Sequence, residues 1–390
     1  MENSSELGEE VKELSLRRAF DKKTLFLLSF AVIILLIYLI LEDISIFNIM
    51  VLIASTNFLI LILGASATFI AVLFDTIAWK ILLGISSIHP SIPAAYRIQL
   101  ASFSYGLLIP SAGAVEIIMR IALGRKEFIN ENENRQATSG EILSSVVAHR
   151  LCGLIAFIPI SIIVAYAILA YFDDIVYNET NQHLPGDIAI TFTLAISLVA
   201  IFIIIIVFLI VKAPNMAKSL ISLILSGIAY LPIIGKFAKN ALEPSERIID
   251  DFSTQLTYLA QNKFLSIIAL LLAFFSQIAH WVSIYFILHS IQIPILLDQV
   301  AAVNFLSGTV DLIPVGIPGM VGLKEITLSV FLKSGLGLDS TLSFSGSILV
   351  QLVKFYFLII VGILVYIAGK TRVLTYDLEE KTNSILEEQR

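Results

Sequence analysis

Six long apolar runs leave this chain little choice of fold: residues 24–41, 49–74, 145–171, 188–211, 264–288 and 342–368. A helix needs about 20 mostly apolar residues to cross the hydrocarbon of a bilayer. In lipid every backbone polar group must be satisfied internally, so runs of this length fold as helices that pack as a bundle. The totals agree, since 57% of the 390 residues are hydrophobic and only 14% are charged. A soluble surface needs more charge than that. The first run follows more than twenty polar residues and lacks a small-residue cleavage pattern, so it reads as a retained crossing rather than a secretion signal. The expected class is all-α, a polytopic membrane helix bundle.

Other classes find no support. A net charge of −6 offers no basic stripe for nucleic acid. Cys152 is the only cysteine, which excludes an internal disulfide or a cysteine-built metal cage. His149 and Cys152 lie one turn apart, but two ligands do not make a metal site, and packing is the expected role. His280, Trp281 and His289 read as bundle and interface residues. There is no phosphate-cradling Gly loop with its Lys, no nucleophile elbow and no metalloprotease helix. No catalytic residue, metal or cofactor is therefore expected.

Lysine and arginine set the orientation. Segments 42–48, 173–187, 289–299 and 335–341 contain neither. Basic residues instead gather before the first run (Arg17, Arg18, Lys22, Lys23), after the second (Lys80, Arg97, Arg125, Lys126, Arg135), between the fourth and fifth, and after the last (Lys370, Arg372). The positive-inside rule then puts both termini in the cytoplasm of a multi-pass cell-membrane protein. The expected organisation is a cytoplasmic tail 1–23, a first membrane repeat 24–172, an external loop 173–187, a second repeat 188–370 and a cytoplasmic tail 371–390. Within the second repeat, residues 213–263 form a cytoplasmic linker. Ile248, Ile249, Phe252, Leu256 and Leu259 recur there at helical spacing and predict an amphipathic surface helix of structural role. Asn178-Glu179-Thr180 in the external loop matches a glycosylation acceptor, a common tripeptide.

Two further stretches, 96–123 and 300–332, are apolar but interrupted by Pro, Gly and charge. The first carries Leu108-Ile109-Pro110-Ser111-Ala112-Gly113 and then Glu116; the second carries Leu312-Ile313-Pro314, then Pro318, Gly319, Gly322 and Glu325. Each leads into a short apolar helix and then into a run with an early basic residue, Arg150 or Lys354. The order repeats with opposite orientation: about three spans plus one re-entrant broken segment, twice. Inverted repeats of this kind place their site where the broken segments meet. Pro110 and Pro314 each remove a backbone donor, while Gly113, Gly319 and Gly322 permit tight turns and close approach. Pro318 belongs to the same broken motif.

Charges in spanning regions cost roughly 2.5–3.5 kcal/mol on insertion scales, so they usually have partners or tasks. The candidates are Glu116, Arg120, Arg150, Asp311, Lys324, Glu325 and Lys354. Glu116 and Arg120 share a helix face and can pair. Lys324 and Glu325 point apart and need partners elsewhere, which Arg150 or Lys354 can supply. A polar internal cavity with Arg120, Arg150, Lys324 and Lys354 facing a lipid phosphate is one reading. Structural ion pairs or snorkelling is the other, and it stays open for each residue.

The Leu108–Gly113 motif with Glu116 and Arg120, His149-Arg150-Leu151 opening a run, and Pro318-Gly319 with Gly322 and Glu325 together resemble the lysylphosphatidylglycerol synthase transmembrane, or flippase-like, membrane proteins. Met320 departs from that family's second Gly, and His149 from its usual acidic residue. The resemblance spans nearly the whole chain. It implies an all-helical domain that moves a phospholipid or lipid-linked substrate between leaflets; the charges at membrane depth, Glu116, Arg120, Arg150, Lys324, Glu325 and Lys354, are the expected substrate-binding residues. The implied partners are membrane lipids, anionic or aminoacylated, and a separate lipid-modifying enzyme. Bifunctional relatives carry a soluble aminoacyl-transferase domain after the membrane part. Only twenty residues follow position 370, so transferase activity is not expected. The rival readings are a membrane-embedded aminoacyl or glycosyl transferase, for which only Glu116, Asp311 and Glu325 offer acid/base groups, and a non-catalytic partner of such an enzyme.

Overall fold

A computed structural model describes residues 22–108, 114–180, 261–308 and 320–368, with scattered positions between 198 and 226. Regular structure among the described residues is helical except for one short hairpin. The order is α1 (Lys22–Leu41), α2 (Ile46–Ala54), α3 (Phe58–Ile85), α4 (Ile92–Leu108), α5 (Ala114–Glu127), β1 (Ile129–Asn130), β2 (Arg135–Gln136), α6 (Ser139–Thr180), α7 (Lys263–Ser290), α8 (Leu297–Gly308), α9 (Leu323–Leu336) and α10 (Ser340–Gln351). The last continues through a π-helical turn, Leu352–Tyr356, to Ala368. Among the described residues, four helices are long and apolar enough to cross a membrane: Phe58–Ile85, Ser139–Ser161, Lys263–Ser290 and Ser340–Ala368. Ser29–Leu41 and Ile46–Ala54 add a fifth candidate, bent by 93°.

A second break, after Ala54, corrects the boundary of the second apolar run. Hydropathy alone joins residues 49–74, whereas the chain breaks at Ser55-Thr56-Asn57 and crosses as Phe58–Ile85. The break is polar. The Ser55 hydroxyl donates to the Leu52 carbonyl, and the Asn57 side chain accepts from the Ile60 amide and starts the next helix. Asp75, Trp79 and Lys80 consequently lie within a helix and not beyond one. Likewise α6 stays helical through Thr180, past Asp173 and Asp174. The fourth run has only scattered described positions. The amphipathic stretch 248–259, the tail 1–21, residues 369–390, and Pro110, Gly113, Asp311, Pro314, Pro318 and Gly319 lie outside the described residues.

The chain forms two compact units. One comprises Met1–Val72, Ser91–Leu123 and Ala279–Arg390; the other comprises Leu73–Pro90 and Gly124–Ile278. In the first, small residues bring helices together, as lipid-embedded packing requires in the absence of a hydrophobic drive between helices. A Cβ on Gly64 would sit 2.7 Å from Ile287, and beside it the Ser283 hydroxyl bonds Thr68 at 2.6 Å. Gly362 presses still closer on Ser104 and the Leu100 carbonyl, and the Ser104 hydroxyl donates to the Leu358 carbonyl at 3.2 Å. These contacts fasten α3 to α7 and α4 to α10.

In the second unit Ala78, Leu82, Ala148 and Ala269 form a buried cluster against which Cys152 packs. Trp79, fully buried, donates its indole N–H to the Ser145 hydroxyl at 3.0 Å. The β1–β2 hairpin is tied down by Glu141, which accepts from Asn130, from Arg135 and from the Thr138 amide.

Candidate functional site

The polar groups at depth in the first unit are set by α5, α8, α9 and α10. On α5, Glu116 and Arg120 fall one turn apart, and Arg120 Nη2 donates to Glu116 Oε1 at 2.5 Å. Arg120 is 1% exposed and Glu116 8%. Gly106 on α4 admits this pair, since a Cβ there would lie 2.8 Å from the Glu116 Cβ.

A tight turn precedes α9. Met320 and Gly322 both have positive φ, 54° and 85°, and a Cβ at Gly322 would come 3.0 Å from the Ala31 carbonyl oxygen. Glycine suits that position for both reasons. The helix then starts with a carboxylate cap: Glu325 Oε2 accepts from the Gly322 amide at 2.7 Å. This satisfies one of the amides left open at a helix start and sets a negative charge against the positive end of the dipole. The other oxygen, Oε1, accepts a short hydrogen bond from the Tyr356 hydroxyl. The Glu325 carbonyl accepts from Ser347 at 2.6 Å. Lys324, 7% exposed, turns the other way and lays its ammonium 4.1 Å from the centre of the Phe355 ring.

On α10 the α-helical ladder is interrupted. The Phe357 amide donates to the Leu352 carbonyl, five residues back, closing a π turn over Leu352–Tyr356. Such turns wind fewer degrees per residue, so neighbouring side chains stay closer to one direction. Three successive residues are engaged here: Lys354 donates to Asn304 Oδ1 at 3.2 Å, Phe355 receives Lys324, and Tyr356 holds Glu325. Lys354 also lies 5.6 Å from the Phe355 ring centre. It sits at the midpoint of the 29-residue helix Ser340–Ala368, about 21 Å of rise from either end. Half of the hydrocarbon thickness is only about 15 Å. A cavity of about 160 Å³ opens against this turn, lined by both lysines with Asn304, Ser307, Gln351 and Phe355 among its walls.

Of the residues singled out in the sequence, the structure thus brings Lys324, Glu325 and Lys354 to one place and pairs Glu116 with Arg120. Gly322 is the described member of the second broken motif. Arg150 belongs to the other unit, on α6, where its side chain is exposed. Sequence reasoning missed Asn304, Gln351, Phe355 and Tyr356, because a census of charges at depth passes over amides and aromatics. It also missed Asp75, which lies 3.7 Å from His149 in the second unit, because the run had been ended at residue 74. Among the described residues, no three His, Cys, Asp or Glu side chains are grouped to hold a metal ion.

Long apolar helices, a bent candidate span and a half-buried lysine at the middle of a long apolar helix define a polytopic helical membrane protein. The profile of the family described as "Lysylphosphatidylglycerol synthase TM region" matches residues 26–362, and the chain belongs to that family. No curated protein and no solved structure matches it.

Proposed function

We propose that the protein is a flippase-like translocator that moves a phospholipid or lipid-linked substrate between the leaflets of the cell membrane. The observation that carries this reading is the polar cavity beside Lys354, at the midpoint of a crossing helix. An ionisable group at that depth is expensive, and membrane proteins keep such groups along substrate paths. The interrupted backbone before α9 is consistent with it, because non-helical chain at membrane depth persists where it is buried or lines a cavity. The distribution of lysine and arginine supports cytoplasmic termini. The recurrence of Leu-Ile-Pro, small residues and Glu in two oppositely directed segments supports an inverted repeat. The working partners are lipids of anionic or aminoacylated headgroup, together with a separate enzyme that modifies them.

Reconstitution into vesicles with a labelled anionic lipid in one leaflet tests the proposal. Protein-dependent appearance of the label in the opposite leaflet is expected. A chemically altered lipid without translocation would replace the reading with a membrane-embedded transferase.

A further inference from the structure

Nothing in Leu352-Val353-Lys354-Phe355-Tyr356 forces a helix out of α geometry, since the stretch holds neither Pro nor Gly. The π turn lies instead between two grips on α10. On the side of its start, Phe344 fills a cluster with Leu39, Ile44 and Ile49. Gly346 seats against Leu288 and Ile293, where a Cβ would lie 2.8 Å from Ile293, and the Ser347 hydroxyl donates to the Glu325 carbonyl at 2.6 Å. On the side of its end, Leu358 packs with Val72 and Leu100, and its carbonyl accepts from Ser104. Gly362 follows, with no room for a Cβ beside the Leu100 carbonyl. A hydrogen bond reaching back five residues encloses one residue more than an α turn does. The stretch between Ser347 and Leu358 therefore carries a spare residue, and each flank keeps its own register.

We propose that this spare residue makes α10 a two-register switch. The five-residue hydrogen bond moves along the helix between Ser347 and Leu358, and the side chains it passes turn by about 100° while both grips hold. Little stands against the move in the backbone, because an α bond forms behind the travelling turn for each one that opens ahead of it. Helix register shifts of this kind run on the μs–ms scale. Three contacts mark the present register: Lys354 on Asn304, Phe355 under the Lys324 ammonium, and Tyr356 on Glu325. All three side chains belong to the turn itself, so one shift breaks the three together. It also withdraws two walls of the cavity, Lys354 and Phe355. A substrate group that competes for any of these contacts would favour the second register by its differential affinity for the two states. The use of the switch in transport rests on the translocator reading; its existence does not.

Two single-residue deletions test for the spare residue. Leu352 and Ile360 are both exposed, so removing either takes away little packing and chiefly changes register. Without Leu352 the helix closes into continuous α geometry with both grips in place, and the full chain in detergent should keep its thermal midpoint. Without Ile360, which lies between Leu358 and Gly362, one of those two residues must leave its seat, and the midpoint should fall or the protein fail to fold.

The exchange itself is read by fluorine NMR of a trifluoromethyl tag on Val353→Cys in a Cys152→Ser background, which requires no transport. Val353 is half-buried within the turn and changes surroundings when the register does. The tag should show a second resonance, and Tyr356→Phe, which frees Glu325, should raise its population about tenfold, the loss of one hydrogen bond to a charged group. Deleting Leu352 should leave one resonance. A single resonance that persists in Tyr356→Phe, two resonances that persist without Leu352, or a midpoint that falls as far without Leu352 as without Ile360 would overturn the switch. In vesicles the protein lacking Leu352 should stay folded and lose translocation. Translocation at the wild-type rate without Leu352 removes the switch alone. Two exchanging resonances in a wild type that moves no lipid remove the transport reading alone.

Discussion

Arg120 shows what a charge must do to remain inside a bundle. It is 1% exposed and spends one guanidinium nitrogen on Glu116, one turn earlier. Taking one member from a buried pair leaves the other charge uncompensated, at a cost of about 3–5 kcal/mol, whereas replacing both with neutral side chains of similar volume is often close to neutral. Arg120→Met should therefore lower the thermal midpoint in detergent further than the double variant Glu116→Gln with Arg120→Met. A double variant less stable than the single one would contradict the pairing. This contact was legible in the sequence because it lies within one element, where spacing fixes geometry. The partners of Lys354 and Glu325 were not. Asn304 and Tyr356 come from other positions in the fold, and only tertiary structure brings them close.

Among the elements, boundaries were read less well than existence. The apolar runs announced crossings, but the second was shifted because three polar residues, Ser55-Thr56-Asn57, are too few to dent an average over a run. The π turn has no Gly or Pro to announce it. A contact between elements also carries a consequence for pH. Glu42, just past α1, receives Lys333 of α9 at 2.5 Å and the Ser340 hydroxyl of α10 at 2.7 Å. The hydrogen bond from Lys333, followed by that from Ser340, holds the Glu42 carboxyl below its ordinary range. A carboxyl held low in the folded state adds stability above its unfolded pKa and loses it as pH falls through the folded value. Glu42→Gln should therefore melt below the wild type near about pH 7 and converge with it by about pH 3. The pair is partly solvated, so the gap should be about 0.2–1 kcal/mol and shrink in high salt. An equal gap at both pH values would exclude the latch.

For the whole molecule, hydropathy and the motifs established the class and the family, because a bilayer punishes any other use of such runs. The organisation into two compact units was not legible, since each is assembled from segments far apart in sequence. The proposed translocation requires water and charge to reach the middle of a crossing helix. With a single native thiol at Cys152, the direct measurement is labelling of Lys354→Cys in a Cys152→Ser background by a membrane-impermeant maleimide, which reacts with thiolate and so requires water. Ile360→Cys, exposed on the apolar side of the same helix, is the reference. The cysteine at position 354 should label readily and the one at 360 should not. If 360 labels as fast as 354, or 354 not at all, there is no polar cavity at that depth.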